Sequence, residues 1–222
     1  VNFDELGRLL EFQIENGTDA IIACGTTGEA ATLSVEEHKA VLSYVAEKVN
    51  KRIPVIAGTG SNDTATAISL SKSAQKYGAD GLLSVTPYYN KTSQAGLVKH
   101  FTTIADSVDL PIILYNVPSR TGCNMQPKTY AELEKHQNIV GVKEANGDIS
   151  SVSLTRSLCS DDFAIYSGND DQTVPFMSLG GKGVISVFSN FCPKEMHEIC
   201  QACLDNDFQR AAEMNFHFVE LM

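Results

Sequence analysis

Lys143 is the residue with the clearest chemical potential in this chain. It ends the otherwise apolar run Ile139-Val140-Gly141-Val142. Lysine is seldom buried unless it is paired or functional. Desolvation lowers its pKa and leaves a neutral amine that condenses with carbonyl compounds. The competing structural roles are snorkelling to solvent or pairing with Glu144 or an acid on a neighbouring strand. Other reactive types leave apolar runs in the same way. Cys24-Gly25-Thr26-Thr27-Gly28-Glu29 sets two hydroxyls between two glycines, where successive N–H groups can hold a carboxylate or a phosphate. The plain alternative is a tight strand–helix turn with a threonine cap. Tyr88 and Tyr89 are adjacent in Thr86-Pro87-Tyr88-Tyr89-Asn90, a pattern that also suits a subunit interface. Tyr115 ends another run, and Arg120 follows beyond Pro118. Its guanidinium fork matches a carboxylate, although a lone loop arginine is equally a solvated cation.

Gly168 leaves space where a further run ends, and Ile185 can form an apolar wall. Asp170 and Asp171 suit an N-cap and first helical turn, and no His–carboxylate cluster completes a metal site. Cys200-Gln201-Ala202-Cys203 lies in a helical stretch without a second pair, so a structural role is expected. None of the 5 His has a catalytic frame.

The elements that must position these residues alternate regularly. Strands are expected at Asp19–Gly25, Ile53–Gly58, Gly81–Val85, Pro111–Asn116, Ile139–Lys143, Phe163–Ser167 and Gly183–Val187. They are apolar throughout, the pattern of strands covered on both faces. Helical spacing joins Phe3, Leu6, Leu10 and Ile14, with Gly17 placed to cap. Ser34 and Glu37 form a capping-box pattern ahead of Val41, Leu42, Val45 and Val49. Ser61-Asn62-Asp63 opens a third helix that Gly78 can close. Further helices are expected near Gln94–Val108, Lys128–His136, Ser151–Leu158, Asp171–Leu179 and Pro193–Met222. Seven β–α units without a linker indicate one α/β domain over residues 1–222, either a (β/α)8 barrel or an open doubly wound sheet. In both, ligands sit at the carboxyl ends of the strands.

Composition narrows the function. The 222 residues are 43% hydrophobic and 20% charged, ordinary values for a globular domain. Seventeen basic against 27 acidic residues give a net charge of −10, which argues against nucleic acid or an anionic membrane as partner. No apolar run reaches the ~20 residues of a membrane span. The N-terminus lacks the features of a signal peptide, so the 6 Cys are expected to be reduced thiols in a cytoplasmic protein.

Four spaced motifs together resemble the dihydrodipicolinate synthase / N-acetylneuraminate lyase family. They are Gly25-Thr26-Thr27-Gly28-Glu29, Thr86-Pro87-Tyr88-Tyr89-Asn90, Tyr115-Asn116-Val117-Pro118-Ser119-Arg120-Thr121-Gly122 and Val142-Lys143-Glu144-Ala145. The resemblance runs over almost the whole chain. It implies a (β/α)8 TIM barrel, here lacking the first strand and most of the C-terminal helical segment. Thr26-Thr27 and Arg120 favour the synthase branch, because the lyase branch usually carries Ser-Thr at that turn. The resemblance then implies an imine between Lys143 and pyruvate, with Thr27 and its turn on the pyruvate carboxylate. Tyr115 is implied as proton donor and acceptor. Thr26 would relay protons between Tyr115 and Tyr89, the latter supplied across a dimer interface. Arg120 would receive the carboxylate of aspartate 4-semialdehyde, with Gly168 and Ile185 completing the substrate site.

The resemblance implies no cofactor and no metal, and it implies a homotetramer built as a dimer of dimers. Ala31, His38, Asn62 and Tyr88 match the family's lysine effector pocket. Thr66 and Val35 stand where a glutamate and a histidine are typical of inhibited members, so feedback is expected to be weak or absent. The alternatives are a pyruvate-dependent sugar-acid aldolase and a non-catalytic oxo-acid-binding barrel.

Overall fold

The computed structural model describes residues 1–222. Seven strands lie in one parallel sheet in chain order: β1 (Ile21–Ala23), β2 (Val55–Gly58), β3 (Gly81–Val85), β4 (Ile112–Asn116), β5 (Ile139–Glu144), β6 (Ala164–Ser167) and β7 (Gly183–Val184). Each is followed by helix. The helices are α1 (Phe3–Glu15), α2 (Val35–Val49), α3 (Thr64–Tyr77), α4 (Gln94–Ala105), the single turn α5 (Pro118–Thr121), α6 (Pro127–Leu133), α7 (Ile149–Leu158), α8 (Thr173–Ser178), α9 (Pro193–Leu204) and α10 (Phe208–Phe218).

The sheet rolls until its two outer strands approach each other. β1 and β7 form no ladder together, yet Ile21, Ile22, Gly183 and Val184 line one cavity. The architecture is therefore a parallel α/β barrel of seven strands with a seam between the first and the last.

Period-two alternation explains the continuous apolar strands. Ile112, Leu114, Leu82 and Val142 are fully buried against the helices, in the larger apolar core. Leu83, Ile113 and Tyr115 point the other way, into a smaller interior cluster with Ile22, Ile56, Tyr166 and Ile185 around it. One face packs on the helices and the other turns into the barrel, so neither carries the polar half of an amphipathic pattern.

Local signals hold at most boundaries. Gly78 closes α3 in the left-handed region at φ +86°, and Gly17 follows α1 at φ +84°. Ser34 accepts from the Glu37 amide at 3.2 Å, and the Glu37 carboxylate accepts from the Ser34 amide at 3.0 Å. Each satisfies a donor that the helix leaves orphaned. Ser34→Ala is expected to lower the melting temperature by about 2–4 °C, read by thermal unfolding.

Three expectations need correction. The stretch after Pro193 is two helices and not one. Asn206 enters the left-handed region at φ +61°, and Asp207 then caps α10 by accepting from Arg210 at 3.1 Å. β7 stops at Val184, although the Ile185 amide still donates to the Ser167 carbonyl at 2.9 Å. Asp170 does not cap α8. Its buried carboxylate accepts from the amides of Val187 at 2.9 Å and Phe188 at 3.1 Å, tying the β6 exit to the β7 exit.

Candidate active site

β4 and β5 pair so that Tyr115 stands opposite Lys143, and β5 and β6 pair Lys143 with Tyr166. All three side chains reach the barrel interior near the carboxyl ends of their strands. Lys143 is only 8% exposed, and its Nζ lies 4.5 Å from the centroid of the Tyr115 ring. Burial pulls its pKa down to about 8 from 10.5, with Asp170 opposing the shift and the Arg120 charge adding to it. At neutral pH roughly a tenth of the amine is therefore uncharged, against well under a thousandth for an ordinary lysine. Lys143 neither snorkels out nor pairs with Glu144, because Glu144 is the next residue along the strand and faces the helices.

Gly168 meets the lysine stem directly. A Cβ there would sit 2.6 Å from the Ala145 Cβ and 3.1 Å from the Lys143 Cε. The space that glycine leaves is the room the amine occupies.

Burial pushes the Tyr115 phenol up, and the Thr26 hydroxyl and the Arg120 charge pull it back. The Thr26 contact lies outside the geometry of a formed hydrogen bond, as is common for proton-transfer groups before substrate binds. Thr26 and Thr27 sit on the exposed turn between Cys24 at φ +56° and Glu29 at φ +52°. Both residues, with Lys143, Tyr166 and Ile185, line a cavity of about 750 Å³ that opens along the β1–β7 seam. Arg120 is exposed in the single turn α5, which Pro118 starts and Gly122 ends at φ +67°. It follows the carboxyl end of β4, and its charge acts on both Lys143 and Tyr115. No group of three or more His, Cys, Asp or Glu side chains is placed to hold a metal ion.

Lys143, Tyr115, Thr26, Thr27, Arg120, Gly168 and Ile185 thus gather at one end of the barrel. Tyr89 does not join them. It is 91% exposed at φ +67°, projecting from the β3–α4 loop. The effector candidates are less coherent. His38 is buried on α2 with Nε2 2.8 Å from the Gly58 carbonyl, Ala31 is exposed, and no hydrogen bond joins any two of the four side chains. The Asn90 amide does tie the Asn62 carbonyl to the loop carrying Tyr88, at 3.2 Å. Reasoning from strand ends missed Asn116, Tyr130 and the role of Asp170, because their partners lie on other elements.

A rolled parallel sheet with a buried amine, a phenol and an arginine at its carboxyl edge places the chain among α/β-barrel proteins with a strand-end site. Comparison with known proteins narrows this. The chain belongs to the family described as "Dihydrodipicolinate synthetase family", whose model matches residues 1–222. It is 55% identical over 222 residues to the 4-hydroxy-tetrahydrodipicolinate synthase of Acetivibrio thermocellus, covering 100% of this chain and 75% of that one. The dihydrodipicolinate synthase of Aquifex aeolicus superposes with a TM-score of 0.98 at 45% identity, over 100% of this chain and 76% of the other. A chloride-inhibited dihydrodipicolinate synthase of Acinetobacter baumannii, solved with pyruvate, superposes with a TM-score of 0.97 at 46% identity, over 100% and 76%.

Proposed function

We propose that this chain catalyses the 4-hydroxy-tetrahydrodipicolinate synthase reaction, condensing pyruvate with aspartate 4-semialdehyde as a step of lysine biosynthesis. The observation that carries the reading is Lys143, buried opposite Tyr115 with its pKa held near 8. The neutral amine adds to the pyruvate ketone, and the resulting carbinolamine loses water to give an iminium. Tyr115 donates the proton that turns the departing hydroxyl into water. The iminium nitrogen then accepts the electron pair released when the methyl group loses a proton. The enamine carbon forms the new C–C bond at the aldehyde, whose oxygen takes a proton. The amino group of the bound product displaces Lys143 as the ring closes. The threonine turn and Arg120 hold the two carboxylates, which turns a bimolecular encounter into an oriented one.

Tyr89 enters this reading from a second copy of the chain. Its near-complete exposure on a loop fixed by positive φ suits delivery to a neighbour's site, and the homotetramer expected from the motifs would supply that neighbour. Six free thiols suit the cytoplasm. No helix is long and apolar enough to cross a membrane.

Borohydride reduction in the presence of pyruvate tests the reading. A stable adduct on Lys143, located by peptide mass mapping, is expected. Its initial rate should climb through about pH 8 and level off above it, following the neutral amine. An adduct on another lysine, or none, overturns the proposal. A midpoint near the ordinary lysine value overturns the role given to burial.

A further inference from the structure

Beside the reacting pair lies a second cross-strand pair that the chemistry does not use. Tyr115 opposes Lys143, and one step further along the same ladder Asn116 opposes Glu144. Alternation sends the first pair into the barrel and the second outward, beneath the helices. Asn116 is fully buried and Glu144 is 3% exposed. The Asn116 amide donates to both Glu144 carboxylate oxygens, at 2.9 and 3.2 Å, and to Asn124 Oδ1 at 2.8 Å. The Tyr130 hydroxyl donates to Glu144 Oε2 at 2.6 Å, and the Asn146 amide to Oε1 at 3.0 Å. Asn116 Oδ1 accepts the Met125 amide at 3.0 Å.

This cluster joins the ends of β4 and β5, the segment that leaves Arg120, and α6. No cation pairs with the carboxylate, and burial pushes its pKa up to about 7 against the pull of Tyr130 and Asn116. A buried acid without a counter-ion is a weak device for stability, since apolar residues of similar volume do as well or better. Its place, directly behind the amine and the phenol, is what makes it useful.

We infer that Glu144 is a positioning residue: through Asn116 and Tyr130 it clamps the carboxyl ends of β4 and β5, and so sets the placement of Lys143 against Tyr115. The inference rests on the Schiff-base reading of Lys143. A parallel ladder has few bonds left at this point. Ala145 N to Asn116 O at 2.8 Å and Gly168 N to Glu144 O at 2.7 Å close the strand end. The outward side-chain bonds prevent that end from fraying into the cavity.

The test measures pyruvate–borohydride trapping on the 222-residue chain at 25 °C, together with thermal unfolding. Glu144→Ala should slow adduct formation on Lys143 by about tenfold or more, since small misplacements of a reacting group are amplified in rate. Its pH midpoint should move upward from about 8 as water reaches the loosened strand end. Glu144→Gln keeps the shape and the two bonds accepted at Oε1, with the Tyr130 hydroxyl accepting instead of donating, and should recover most of the rate. Tyr130→Phe, which keeps the ring and loses one donor, should fall between them and remains informative if the alanine variant does not fold.

Val49→Ala, a fully buried truncation on α2 away from the site, is the stability control. It should lower the melting temperature and leave trapping rate and midpoint unchanged. Unaltered rate and midpoint in Glu144→Ala and Tyr130→Phe, or equal slowing by Val49→Ala, overturns the positioning role. Absence of any adduct in the unsubstituted chain overturns the Schiff-base reading itself, which keeps the two failures apart.

Discussion

Lys143→Met is expected to abolish adduct formation and to raise the melting temperature at neutral pH. The first effect follows from chemistry. Methionine has similar length and no nucleophile, and turnover should fall by about 10⁴-fold or more, as when other covalent catalysts lose their nucleophile. The second follows from linkage. The folded-state pKa of Lys143 is about 8, below the ordinary 10.5. Between those values the unfolded chain binds more protons than the folded one, so the lysine's contribution to stability improves as pH rises across that window. Below about pH 8 the whole penalty is present, about 3 kcal/mol at 1.36 kcal/mol per unit.

The attraction between the ammonium and the Tyr115 ring at 4.5 Å is lost with the charge and trims the gain. The Met variant should therefore unfold several degrees higher at pH 7, with the advantage shrinking towards pH 10.5. Calorimetry at three pH values reads it. An unchanged melting temperature, or a gain that does not vary with pH, means that the amine is not desolvated. The buried amine is thus held at the expense of the fold, and on the proposed function this is a stability–function conflict of the usual kind.

Gly58→Ala is expected to damage both fold and site. A Cβ at Gly58 would lie 2.1 Å from the Cys24 carbonyl oxygen, 2.8 Å from its carbon and 3.2 Å from the Ala23 carbonyl oxygen. All three atoms are backbone, so no rotamer change relieves the clash and β1 must move away from β2. β1 is short, has no partner on its other side and carries the Gly25-Thr26-Thr27 turn at its end. The Gly58 carbonyl also anchors His38 at 2.8 Å, so displacement reaches α2. A loss of about 3 kcal/mol or more is expected, a fall of roughly 6–12 °C in melting temperature. Trapping with pyruvate should weaken as well, because the turn that faces Lys143 is displaced. A variant that melts within 2 °C of the parent, a shift of under about 1 kcal/mol, shows that the strands tolerate the methyl group.

How far the sequence alone could be read is visible element by element. β3 agrees at both ends, because Asp80-Gly81 opens it and Thr86-Pro87 cannot continue it. The helix boundary at 205–207 was legible in Asp205-Asn206-Asp207, a run that favours turns and caps, yet helical apolar spacing on both sides masked it. Asp170 shows the opposite case. Its type and position fit a local cap, and its real partners are amides seventeen and eighteen residues later. Nothing within a window of sequence distinguishes the two.

The alternation of strand and helix, the double-faced burial of the strands and the residues that leave each strand end are all written in the order of amino acids. Those follow from local chemistry: periodicity, capping groups and turn residues act over a few positions. The rolling of the sheet, the shared ladder position of Tyr115 and Lys143, and the turn of Glu144 away from the amine next to it emerge from the packed fold. Those depend on register between segments some thirty residues apart and on the burial that the packed barrel imposes. A lysine's pKa shifts by desolvation, and desolvation is a property of the assembled fold.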